Sequence, residues 1–198
     1  MNARTTSRVF FICLLSLLCS VGTVAATLVG EKSGVRFVSV KNASVAEVHH
    51  FRKLSGSLSE EGRVTVTIPL VDVETMIPIR NERMQELFFE TVSFPAAVIE
   101  ADIDMAAINA LKSGDYLTMT VLFRLSLHGK EQMLEASVAV ARLGDELHVD
   151  SLQPLIINAG SFGLVEGVER LREVAGLHSI STAVPITANL VFAPGRRP

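Results

Sequence analysis

Apolar and polar residues alternate along most of this chain. Within 63–70, Val64, Val66, Ile68 and Leu70 are separated by Arg63, Thr65 and Thr67. Within 116–127, Leu117, Met119, Val121, Phe123, Leu125 and Leu127 share one parity, while Thr118, Thr120, Arg124 and Ser126 share the other. Leu134, Ala136, Val138 and Val140 repeat the pattern, as do Val184, Ile186, Ala188, Leu190 and Phe192. A period of two sends successive side chains to opposite faces of a strand, so each run predicts a strand with one apolar face. Residues 35–40, 47–58, 96–104 and 146–157 add further strands. Turn-forming residues punctuate them: Glu60-Glu61-Gly62, Ser113-Gly114-Asp115, His128-Gly129-Lys130 and Gly144-Asp145. The count comes to about eight strands, mostly joined to their neighbours, which is the pattern of an antiparallel meander or barrel.

Two segments change period. In 79–89, Met84, Leu87 and Phe88 fall on one helical face, with Arg80, Asn81, Glu82 and Glu86 around it. In 164–175, Leu164, Val168, Leu171 and Ala175 recur at helical spacing, and Gly176 follows as a C-cap. Helices this short must pack on the sheet to persist. The interior of an eight-stranded barrel is either filled with side chains or holds one ligand, and the pattern alone leaves both open.

The amino terminus has a different character. Arg4 and Arg8 precede an almost wholly apolar stretch over 9–21, and Val24-Ala25-Ala26 supplies small residues. This is the three-part pattern of a secretory signal peptide over 1–26, shorter than the ~20 apolar residues that span a membrane. The expected cut follows Ala26, with Ala25 as the alternative, leaving one domain over 27–198. Both cysteines, Cys13 and Cys19, lie inside the leader and follow Ile12 and Leu18 rather than the small residue of a lipoprotein signal. The mature domain then has no disulfide, thiol nucleophile or thiolate metal site. Loss of Arg4 and Arg8 takes the formal charge from -3 to -5. That acidity argues against nucleic acid, whose phosphates call for a basic surface.

Candidate chemistry is sparse. His49 and His50 are adjacent, so on a strand they point to opposite faces and do not chelate one ion together; surface or edge positions are the expectation, with no metal site. No serine sits in a Gly-x-Ser-x-Gly elbow. Asp102 with Asp104, and Glu131 with Glu135, read as solvated faces. No catalytic residue and no enzymatic activity are expected. Arg80 and Arg83 admit two roles, ligand contact at a cavity mouth or ordinary exterior ion pairing.

Several local patterns, in order, resemble the YceI family. They are Phe51 to Gly56, Val73-Glu74-Thr75, Arg80-Asn81 with Met84, Phe88-Phe89-Glu90, Phe94-Pro95, Leu127-His128-Gly129 and Gly160-Ser161-Phe162-Gly163-Leu164. The resemblance covers 35–192. It implies a mainly β fold: an extended eight-stranded antiparallel β-barrel, lipocalin-like, with two short helical insertions. It further implies an apolar tunnel that binds, sequesters or transports a polyisoprenoid lipid, a quinone or a prenyl phosphate, in the periplasm, with no other cofactor. Phe37, Phe88, Phe89, Leu117, Met119, Val121, Phe123, Leu125 and Phe162 are the expected tunnel lining; Arg80 and Arg83 are the candidate head-group contacts if they flank the tunnel mouth, and the family's own head-group contacts do not carry over. Transient contact with a membrane and a homodimer stay open. The alternative is an envelope interaction, assembly or stress-response factor that keeps the barrel without a lipid. Two departures from the family pattern stand out. Asn81 occupies the usual Asp position, which removes an Arg80–carboxylate pair from that motif, and His49 stands where Gly is usual.

Overall fold

The computed structural model describes residues 24–195. Its strands are β1 (Val24–Leu28), β2 (Gly34–Lys41), β3 (Val45–Phe51), β4 (Ser55–Ser59), β5 (Arg63–Pro69), β6 (Val73–Glu74), β7 (Ala96–Asp102), β8 (Tyr116–Leu127), β9 (Lys130–Leu143), β10 (Glu146–Ser151), β11 (Leu155–Asn158) and β12 (Ala183–Pro194). These twelve segments make eight staves. β1 and β2 both pair with β12 and continue one another. β4 and β3 pair with them in turn, and β5 and β6 pair with β4 and β3. β10 and β11 likewise share β12. Every pairing is antiparallel, and β1 against β12 closes the ring. The result is the eight-stranded antiparallel barrel that the alternation and the resemblance predict.

The interruptions in the first three staves adjoin one another. The break at 29–33 lies against the break at 52–54: a Cβ on Gly30 would stand 2.6 Å from the Leu54 carbonyl oxygen, so only glycine fits there. The Arg52 amide donates to the Asp72 carbonyl at 2.9 Å, which joins the second break to the third at 70–72.

Helices close the ends. α1 (Pro78–Arg83) runs into a π-helical turn, Met84–Phe88, between β6 and β7. α3 (Val165–Val174) lies between β11 and β12 and packs on that turn. A Cβ on Gly167 would come 3.0 Å from the Leu87 carbonyl oxygen and 3.0 Å from Phe88 Cα, so the missing side chain sets how closely α3 approaches. Gly176 ends α3 at φ +63°, as its capping position predicts. Two helices are expected from the sequence, but a third is present. α2 (Met105–Ala110) joins β7 to β8 and is capped by Asp104, whose carboxylate accepts from the Ala106 amide at 2.8 Å. Its single buried side chain is Ile108, so no apolar stripe marks it. α2 covers the end of the barrel opposite α1 and α3.

The predicted leader, 1–26, lies mostly outside the described residues. Its last three residues, Val24 to Ala26, form the start of β1. No helix among the described residues is long and apolar enough to cross a membrane.

Candidate functional site

The inward faces of the staves are apolar but do not fill the barrel. They enclose a cavity of about 680 Å³. Ile103 and Ile108 line its floor beneath α2, and Val66, Ile99, Val121 and Phe123 line its middle. At the other end it reaches Lys41 on β2, Ile77, Ile79, Arg80 and Arg83 around α1, and Val174 and Leu177 at the end of α3. The mouth lies between those two helices, which are tied by Arg83 Nη1 donating to the Val174 carbonyl at 3.3 Å.

Phe37, Phe88, Phe89, Met119, Val121, Phe123 and Leu125 all lie on the cavity wall. A row of rings crosses from strands to helix: Phe37 to Phe51 at 5.6 Å between centroids, Phe51 to Phe89 at 6.0 Å, and Phe89 to Phe88 at 4.7 Å. The π turn helps to bring this about. The Phe89 amide donates to the Met84 carbonyl at 2.9 Å, one residue beyond an α-helical bond, and both phenylalanines reach the cavity. Two expected lining residues are elsewhere. Leu117 has the inward parity but sits at the start of β8, packed on the core outside the cavity lining. Phe162 is fully buried in the 3-10 turn Ala159–Phe162, which packs on β9, β11 and α3, and so anchors that corner of the fold.

The wall turns polar near the mouth. Arg80 Nη1 donates to Glu47 Oε2 at 2.6 Å, and Lys41 Nζ pairs with Glu47 Oε1 at 2.7 Å. Arg80 also donates to the Thr75 carbonyl. The arginine therefore has a carboxylate partner after all, supplied by β3 rather than by the neighbouring position. Asn81 has a different task. Its Oδ1 accepts from the Thr75 amide at 2.8 Å and the Thr75 hydroxyl at 2.6 Å, while its Nδ2 donates to Glu74 Oε1 at 3.0 Å. An aspartate would have no donor for Glu74 and would set two carboxylates together. The Lys41 hydrogen bond, ahead of the nearby Arg80 charge, holds the Glu47 carboxyl below its ordinary range.

His49 corrects the surface expectation. It is 3% exposed, lines the cavity, and sets its ring edge-on to Phe37 at 5.3 Å. The alternation of β3 places Glu47, His49 and Phe51 together on the inward face, and that parity is legible in the sequence. Burial, reinforced by the positive charge of Arg80, pushes the imidazole down to about 4. Among the described residues no group of three or more His, Cys, Asp or Glu side chains is placed to hold a metal ion.

Around the mouth several apolar side chains are exposed among the charged ones. Met76 is 80% exposed with a left-handed backbone, φ +64°, and Ile77, Ile79 and Val174 are also exposed.

A family model described as a YceI-like domain matches residues 27–192. No curated protein sequence matches the chain. Among solved structures, a polyisoprenoid binding domain from Saccharophagus degradans, implicated in plant cell wall breakdown, superposes with a TM-score of 0.86 at 34% identity, covering 87% of this chain and all (100%) of that one. Burkholderia cenocepacia BcnA matches with a TM-score of 0.64 at 20% identity, over 81% of this chain and 96% of its own. A Campylobacter jejuni YceI protein matches at 0.51 and 12% identity, over 75% and 85%. The last two share the fold.

Proposed function

This chain belongs to the YceI family, and from that membership we propose that it binds an isoprenoid lipid, a quinone or a prenyl phosphate, in its barrel. One observation carries the reading: a continuous apolar cavity of about 680 Å³ that opens between α1 and α3. The Saccharophagus degradans neighbour, a polyisoprenoid binding domain, supports it. Each methylene moved from water into such a wall contributes ~0.8 kcal/mol, so a long prenyl chain is held without any covalent step. Side-chain adaptability helps, because Met119 and the phenylalanine row accommodate a flexible chain. We assign the protein a carrying or sequestering role rather than a catalytic one.

The same reading places the work at an envelope membrane. The leader pattern of 1–26 favours export to the periplasm. The exposed Met76, Ile77 and Ile79 adjoin the mouth, where an apolar rim eases transfer of a lipid between bilayer and barrel. An empty barrel acting only as an assembly factor would be expected to have its interior plugged, and this interior is open.

Native mass spectrometry of protein purified gently from its own envelope extract tests the proposal. A co-purifying polyisoprenoid at near-stoichiometric occupancy is the expected result. Protein that carries none, and takes up none from isoprenoid-loaded vesicles, would overturn it.

A further inference from the structure

The cavity is open between α1 and α3 and closed beneath α2. Its lower limit is marked on two neighbouring staves. On β8, Met119 lines the cavity, while Leu117, the next residue of the same parity, does not. On β9, Val140 lines it, while Arg142, again the next of its parity, does not. At this level Ile103, ahead of α2, and Ile108 within it face the cavity. Ile108 is 1% exposed, and Met105, Leu111 and Leu117 pack on the core outside the lining.

This floor is fastened to the barrel. The Ile103 amide donates to the Gly62 carbonyl at 2.9 Å. Gly62 has φ +93°, and a Cβ there would stand 2.1 Å from the Ile103 carbonyl oxygen, so the turn between β4 and β5 lies directly against the floor. Arg142 Nη2 donates to the Ile108 carbonyl at 3.2 Å and ties the C-terminal end of α2 to β9.

A fixed floor under an apolar tube makes depth a measure of chain length. Two estimates agree. A cavity of ~150 Å³ accommodates one benzene, so the cavity of about 680 Å³ accommodates roughly 27 carbons, or about five isoprene units. The lining on β8 runs from Met119 to Leu127. At ~3.3 Å per residue and a stave tilt of ~40°, that run covers about 20 Å of barrel axis. An extended chain advances ~1.2 Å per backbone bond, so a unit with four such bonds spans ~4.8 Å and about four units fill the depth.

We propose that Ile103 and Ile108 form a depth stop, against which the tail end of an isoprenoid rests, and that the barrel encloses about four to five units. A longer chain reaches α2 and leaves its head outside the mouth. This rests on the isoprenoid-binding reading and adds to it a chain length and the residues that set it.

The test loads the purified full-length protein from vesicles with 2-aminobenzoate esters of prenyl alcohols, from three isoprene units to eight, and measures quenching of the bound fluorophore by iodide. Esters of up to about five units should be shielded, and quenching should rise about threefold in one step beyond that length. Quenching that is equal at every length, or that climbs evenly from the shortest, would overturn the stop while leaving isoprenoid binding intact. The double variant Ile103→Ala, Ile108→Ala clears about six carbons from the floor, so its step should move out by about one unit. A step that stays where it was refutes the role of these two residues. Should the variant not fold, a diazirine at the tail end of a four-unit ester decides the matter in the wild type. Its photocrosslinks should map to 103–111, and crosslinks confined elsewhere count against the stop. If no ester loads at any length, the isoprenoid reading itself fails and the stop falls with it.

Discussion

Arg80 on α1 and Glu47 on β3 meet across the mouth of the barrel, with Nη1 2.6 Å from Oε2. The contact joins a helical insertion to the wall it covers. It also gathers Lys41 and Thr75 around the same two side chains.

A double-mutant cycle measures what that joint contributes. Glu47→Ala leaves Arg80 and Lys41 facing each other without their shared carboxylate, and should destabilise the protein by ~1–2 kcal/mol in urea unfolding. Arg80→Ala should cost a similar amount, since it also frees the Thr75 carbonyl. The coupling between the two changes should be about 1 kcal/mol, because the partly exposed setting of the pair discounts the Coulomb energy. Strictly additive losses would show that the contact adds nothing beyond its parts.

Gly167 limits how closely α3 approaches the π turn. Gly167→Val forces atoms against the Leu87 carbonyl and the Phe88 backbone. Unfolding should show a loss of ~1–3 kcal/mol, despite the better intrinsic helix propensity of valine over glycine. An unchanged midpoint would mean that α3 shifts freely on the barrel.

His49 gives stability a pH dependence with a definite sign. The folded imidazole titrates near 4 and the unfolded one near 6.5, so the unfolded chain binds the extra proton in between. Stability is full above pH 6.5 and falls as the pH drops toward 4, by at most about 3 kcal/mol. The charged or titratable groups around it are Arg80, Glu47, Lys41 and His50. Glu47 acts in a separate, lower window, because its carboxyl is held below the ordinary 4.5. Thermal melts between pH 7 and 4 should slope for the wild type and flatten for His49→Phe; equal slopes would place the proton elsewhere.

The rim prediction concerns rate rather than affinity. Replacing exposed Met76, Ile77 and Ile79 with serine removes apolar surface from the mouth without touching the polar pairs above His49. Transfer of a fluorescent polyisoprenoid from vesicles should slow several-fold while equilibrium occupancy holds. Occupancy falling together with rate would instead show that the cavity-lining Ile77 and Ile79 contribute to affinity as well as to transfer.

Much of this architecture is legible in the sequence because the barrel repeats one simple rule. Parity in 116–127 places Met119, Val121, Phe123 and Leu125 on the cavity wall. It fails at Leu117 because parity tells inside from outside, not how far along the stave the cavity extends. Phe162 misleads for a related reason: an aromatic in a short turn has no periodicity to show where it points. α2 escapes notice because six residues with one buried side chain carry no helical stripe, although Asp104 ahead of Met105 is a recognisable cap. His49 illustrates a different limit. Its inward parity is visible, but its burial depends on Phe37 and Glu47 closing around it, and no local pattern encodes that.

The adjoining breaks at 29–33, 52–54 and 70–72 have a mechanical consequence. Three neighbouring staves are interrupted along one line, while β12, which pairs with both β1 and β2, runs unbroken beside them. A tube built this way has a stiff back and a creased front. The front panel, which carries Lys41, Glu47 and His49, stays zipped to β12 through β2, so the crease lets it bend about that strand. Hydrogen exchange should find the amides flanking the crease opening well before those of β8 and β9. The barrel would then admit cargo by flexing its neck, as a purse opens along its fold.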